Sequence, residues 1–142
     1  MLDSLFLDIK SRDENDFMLA GTGRDQQHRI NKFVRSDQIC WLNQDVPATR
    51  EYLDWIEQLR LRLNSELFLG LFDYECHYAV YPRGAFYKKH VDAFKGRASR
   101  VLTTILYLNP NWQPGNGGEL HVYGEEEDMP FLKVEPTWGT MV

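Results

Sequence analysis

His90-Val91-Asp92 is the stretch of this 142-residue sequence whose residue types and spacing could do chemistry. In a β-strand, residues two apart project to the same face, so the imidazole and the carboxylate can converge on one point off a sheet. Together they are two thirds of the facial triad that holds non-haem Fe(II) and leaves three positions open for other ligands. With 11 Asp and 4 His in the chain, chance alone gives about 0.3 such pairs, so the motif takes its meaning from context.

The elements around it decide what it can be. Phe86, Lys88, His90 and Asp92 share one face of an extended segment, and Tyr87, Lys89 and Val91 share the other. Such a face is either an edge guarded by charge or the wall of a polar cavity, and pattern alone leaves both open. Upstream, Phe72, Tyr74, Cys76, Tyr78 and Val80 alternate with Asp73, Glu75, His77 and Ala79, which predicts a half-buried strand that Pro82 and Gly84 break. Downstream, Val101 to Asn109 is rich in β-branched residues with apolar groups on both faces, as in a buried central strand. Tyr107 lies in it, and a buried tyrosine hydroxyl ordinarily finds a structural partner.

Residues 109–118 read as a long turn. Leu120 and Val122 begin a further strand, which the acidic run Glu125 to Asp128 ends, and 131–134 and 138–142 are two more short strands. Before the motif, Tyr52, Trp55 or Ile56, Leu59, Leu63 and Leu67 recur at helical spacing, with Asp45 or Thr49 as cap, Pro47 in the first turn and Gly70 as the stop. Residues 17–20 predict a strand entering a glycine turn, and 24–46 an ordinary packed connection. The first twelve residues fit the end of a helix or a short strand.

One domain fits the length. A net charge of −5 argues against general nucleic-acid binding, and no apolar run approaches the length that spans a bilayer. Cys40 and Cys76 form no CxxC and read as reduced thiols, and no signal peptide is evident at the N-terminus, so a cytoplasmic protein is expected. Six basic residues between Arg83 and Arg100 read equally as a solvated loop or as a positive rim for an anionic cosubstrate or an acidic protein segment.

Tyr81-Pro82, His90-x-Asp92, Tyr107-Leu108-Asn109, Trp112 and Gly117-Gly118-x-Leu120, in that order and spacing, resemble the 2-oxoglutarate and Fe(II) dependent prolyl hydroxylases. The likeness is to bacterial relatives of the enzymes that hydroxylate hypoxia-inducible factor, and it runs from about Glu14 to Val142. It implies an α+β fold, a double-stranded β-helix (jelly-roll) barrel with a supporting helix, over residues 1–142. It implies Fe(II) on His90 and Asp92 and 2-oxoglutarate bound by Tyr107, with Tyr81 and Leu120 lining the cosubstrate pocket. Arg100 and Tyr87 become substrate contacts, and about Arg35 to Asp45 becomes a mobile finger over the substrate. O2 is then the co-reactant, ascorbate a candidate auxiliary reductant, succinate and CO2 the co-products, and a protein bearing the target proline the partner.

The family's third iron ligand, a histidine, and the arginine that pairs with its tyrosine are both expected beyond Val142. The barrel is therefore expected to be incomplete at the C-terminus, with a homo-oligomer as one way to cover its strand edges. His77 and His121 stand near enough in sequence to be considered as ligands, but their strand parity points them away. Two alternatives stay open: a truncated, catalytically silent barrel acting as a protein-binding or assembly module, and a non-oxygenase barrel that binds a small anion.

Overall fold

The structure is a computed structural model and describes residues 1–21, 33–91, 100–124 and 127–142. The chain divides into two compact units, one of Met1 with Asp3–Leu102 and the other of Leu2 with Thr103–Val142. The elements are helices with small antiparallel sheets, an α+β composition.

α1 (Leu2–Ser11), which belongs to the first unit from Asp3 onward, precedes a single 3₁₀ turn, Glu14–Asp16, and three strands: β1 (Met18–Leu19), β2 (Gln38–Trp41) and β3 (His77–Val80). The sheet order is β1-β2-β3, antiparallel throughout, with Met18 opposite Ile39 and Cys40 opposite Tyr78. Ile39, Cys40 and Tyr78 are buried in it, together with Leu5 of α1. The Tyr78 hydroxyl lies 3.3 Å from the Leu5 carbonyl and 2.9 Å from Asp8 Oδ2, and Arg12 Nε and Nη2 donate to the same Asp8 oxygen at 3.1 and 2.9 Å. Polar contacts thereby fix how α1 lies on the sheet, and the apolar Leu5 supplies the burial.

The long helix, α2 (Pro47–Leu67), starts with Pro47 in its first turn, where no N–H is missed. Neither expected cap is used: Val46 stands at the N-cap, and Thr49 is buried with its hydroxyl 2.6 Å from the Asn43 carbonyl. The buried line is Thr49, Leu53 and Ile56, with Tyr52, Leu59 and Leu63 half-buried beside it, while Trp55 and Leu67 face outward. The helix stops before Gly70. Phe68 takes the left-handed conformation at φ +54, and Asn64 explains why: its side-chain amide bonds both the N–H (2.7 Å) and the carbonyl (2.8 Å) of Leu71, folding the chain back.

The expected strand at 72–80 survives only as β3. Its alternation holds from Tyr74 to Val80, with Tyr74, Cys76 and Val80 half-buried and Tyr78 buried, and fails at Phe72, which is 92% exposed. The connection at 24–46 holds an unforeseen strand, β2, which is central to the sheet; residues 22–32 lie outside the described part.

The second unit contains a hairpin of β4 (Leu120–Val122) and β5 (Leu132–Val134), with Leu120 opposite Val134. The predicted buried strand at 101–109 is not one. Within it, Ile105 exchanges both backbone hydrogen bonds with Val142, at 2.9 and 3.0 Å, and Leu106 bridges Met141. A central strand needs a partner along each edge, and among the described residues this segment has a ladder on one edge over three residues, which leaves Val101 and Leu102 exposed. A turn with Gly139 at φ +74 and Thr140 N–H on Thr137 O (3.1 Å) aims 140–142 back along that ladder.

Candidate functional site

Extended backbone brings the segment carrying His90 to β2. After β3 the chain makes a turn at Arg83-Gly84, where the Ala85 N–H returns to the Pro82 carbonyl (2.8 Å) and Gly84 has φ +83. It then rejoins the same neighbour: Ser36 N–H donates to Phe86 O, and Lys88 N–H to Val34 O, both at 2.9 Å. The register slips by four residues between Gln38 opposite Val80 and Arg35 opposite Tyr87, which is the length taken up by the turn.

Those two bonds flank Arg35 and Tyr87 and make them a non-hydrogen-bonded antiparallel pair, the kind whose side chains lie closest. The Arg35 guanidinium accordingly sits 4.2 Å from the Tyr87 ring centroid. Its Nε and Nη2 donate to the two oxygens of Asp37 at 2.8 and 2.5 Å, and Asp37 is 0% exposed. Burial pulls the Arg35 pKa down, but the hydrogen bonds and charge of Asp37 outweigh it and hold the pKa above the ordinary value.

His90 is not on a strand. The chain bends at Lys89, and the exposed His90 ring swings onto Tyr87 with centroids 3.6 Å apart and planes at 13°. Strand parity would send the two to opposite faces; the bend overrides it. His90 Nδ1 lies 2.7 Å from the Lys88 carbonyl. A carbonyl only accepts, so Nδ1 is the donor in this contact, and a backbone carbonyl on one ring nitrogen is the usual outer contact of a metal-binding imidazole. An imidazole nitrogen is one of the donors that a divalent iron takes. Asp92 lies outside the described residues, and among the described ones no three His, Cys, Asp or Glu side chains gather.

Tyr81 and Arg100 are exposed in the same unit, and Tyr87 is half-buried. His77 packs edge-on against Trp41, ring centroids 5.0 Å apart. Packing lowers its pKa most, and Arg35 and Arg100 lower it further. The expected finger at about 35–45 contains β2, so Gln38–Trp41 of it is sheet.

In the second unit, Tyr107 donates its N–H to Thr140 O and accepts from Gly139 N–H, both at 2.9 Å. One residue thus opposes two, a bulge with a positive-φ glycine in its first place. The half-buried phenol has its pKa raised by burial, and like any tyrosine it is an O–H donor at neutral pH. Asn109 Nδ2 donates to Pro136 O at 2.7 Å, and the Trp112 indole N–H to Gly117 O at 2.8 Å, which folds the glycine-rich loop on itself before the half-buried Leu120. His121 is exposed on β4.

Arg35 and Asp37 were not singled out from the sequence. Their signal is the alternation Arg35-Ser36-Asp37, which sets two opposite charges on one face of what becomes an extension of β2.

The 2OG-Fe(II) oxygenase superfamily profile matches residues 76–142. A Pseudomonas putida prolyl-4-hydroxylase, solved by crystallography, is 37% identical and superposes with a TM-score of 0.84, covering 99% of this chain and 70% of its own. The chain belongs to the 2OG-Fe(II) oxygenase superfamily. Its relatives there are prolyl hydroxylases: rat prolyl hydroxylase EGLN3 is 31% identical over 136 residues, covering 89% of this chain and 54% of the rat protein. The hypoxia-inducible factor prolyl hydroxylase of Caenorhabditis elegans is 28% identical over 125 residues, or 78% of this chain and 16% of that protein. The chain spans about half the length of the EGLN3 relatives it matches.

Proposed function

We propose that the protein hydroxylates a prolyl residue of a protein substrate, using Fe(II), 2-oxoglutarate and O2, as one oxygenase domain built on a jelly-roll barrel. The observation that carries this is the 2.7 Å contact of His90 Nδ1 with the Lys88 carbonyl, the kind of outer contact that orients a metal-binding imidazole. His90 Nε2 and the Asp92 carboxylate supply two of the iron's ligands.

Bound iron supplies the activation of O2, coupled to oxidative decarboxylation of 2-oxoglutarate to succinate and CO2. The chain's own residues bind and orient. Tyr107, a protonated phenol at neutral pH, donates a hydrogen bond to the distal carboxylate of 2-oxoglutarate. Tyr81 and Leu120 line the cosubstrate pocket, and Arg100 and Tyr87 contact the substrate chain. Ascorbate serves as the auxiliary reductant. The unpaired Cys40 and Cys76 suit a reducing compartment, which supports a cytoplasmic assignment, and no helix among the described residues is long and apolar enough to cross a membrane.

The test is incubation with Fe(II), 2-oxoglutarate, ascorbate and a library of proline-bearing peptides. Succinate and hydroxyproline should appear in equal amounts, and His90→Ala should abolish both. Succinate formation that persists in His90→Ala, or no Fe(II)-dependent turnover of 2-oxoglutarate at all, would overturn the reading.

A further inference from the structure

We propose that Arg35 and Asp37 are positioning residues for His90, acting through the ring of Tyr87; this rests on His90 being a metal ligand, as read above. His90 stands past a bend, exposed and outside any strand, so backbone pairing does not fix its ring. What the ring lies on is Tyr87, at 3.6 Å and 13°. The Arg35 guanidinium, 4.2 Å from the same centroid, cannot share a face with an imidazole stacked that closely, so the two cover opposite faces of the phenol.

The stack has a fixed end. Asp37 is 0% exposed and takes two of the Arg35 donors, which sets the plane of the guanidinium, and Arg35 Nη1 reaches the Gly21 carbonyl at 3.3 Å. A planar cation held in a fork by a buried carboxylate is a rigid platform in a way that a lysine is not. The order of support therefore runs from buried carboxylate to guanidinium to phenol to imidazole, and Lys88 O holds the imidazole's other edge. Partners that orient a metal-binding histidine ordinarily contribute about 10–100-fold in metal affinity.

The experiment is an anaerobic titration of the full chain with Mn(II), a redox-stable probe, read by the electron paramagnetic resonance of free Mn(II). Near-ultraviolet circular dichroism and the Tm of the metal-free protein report folding separately. Arg35→Gln and Asp37→Asn should each raise the Mn(II) Kd about 10–100-fold in folded protein. Tyr87→Phe, which keeps the stack, should leave it within about twofold of wild type, and Tyr87→Leu should raise it as far as Arg35→Gln does. In the Tyr87→Leu background, adding Arg35→Gln should raise Kd no further, because the arginine acts through the ring. Should Arg35→Gln not fold, Arg35→Lys keeps the charge, loses the fork, and should raise Kd several-fold.

A role confined to stability would lower Tm and leave the Kd of folded variants at the wild-type value, which would overturn the proposal. So would an Arg35→Gln effect that is undiminished in the Tyr87→Leu background. Failure of the wild-type chain to bind Mn(II) would instead count against the metal-site reading itself and take this inference with it.

Discussion

Tyr87 and His90 lie ring on ring, 3.6 Å apart and within 13° of parallel, although they are three residues apart and strand parity would send them to opposite faces. The ring protons of His90 should then be shielded by the phenol, shifted upfield in proton NMR from their position in unfolded protein. Tyr87→Phe should preserve the shift, and Tyr87→Leu should abolish it. An unshifted His90 in the wild-type protein would contradict the stack.

Asp37 carries a buried charge whose partner is Arg35. Asp37→Ala should destabilise the fold by about 3–5 kcal/mol in urea denaturation, because it strands a guanidinium that is only 14% exposed. Replacing both with apolar residues, as in Arg35→Met with Asp37→Leu, should cost much less than Asp37→Ala alone. Equal losses from the single and the double change would show that the pair is not coupled.

Tyr107→Phe removes the proposed donor to 2-oxoglutarate and little else, since the backbone bonds to Gly139 and Thr140 remain. A hydrogen bond to a charged group contributes about 1.5–3 kcal/mol, so the KM for 2-oxoglutarate should rise at least tenfold while kcat changes little. An unchanged KM would remove Tyr107 from the cosubstrate site.

Burial pushes the Cys76 thiol up to about 11 from an ordinary 9.0. A group whose native pKa is raised stabilises the fold below its unfolded pKa and loses that contribution as pH rises through the native one. Stability should therefore fall between about pH 9 and pH 11, and Cys76→Val should flatten that limb of the pH profile. The same shift leaves about a hundredfold less thiolate at pH 8, so native Cys76 should alkylate far more slowly than the unfolded thiol.

Periodicity made the long helix and the in-out order around Tyr78 legible, because both depend on local spacing that burial then respects. The motif order around His90 and Tyr107 made the family legible. The sequence did not reveal β2 as the central strand, since Gln38–Trp41 has no clean alternation and its pairing with β3 is made by residues some forty positions away. Nor could the spacing of His90 and Asp92 disclose the bend at Lys89, which turns His90 onto Tyr87 by side-chain contact and not by strand geometry. The Arg35 and Asp37 pair escaped notice for a related reason: alternation can put two charges on one face, but only the pairing of 34–36 with 86–88 shows what that face meets.

Anaerobic Fe(II) binding by the full chain tests the proposed metal centre on His90 and Asp92 most directly. One Fe(II) per chain should bind in the wild-type protein, and His90→Ala and Asp92→Ala should each weaken binding by about a hundredfold or more. Wild-type affinity in either variant, with the variants folded, would contradict the account, as would a wild-type chain that takes up no metal.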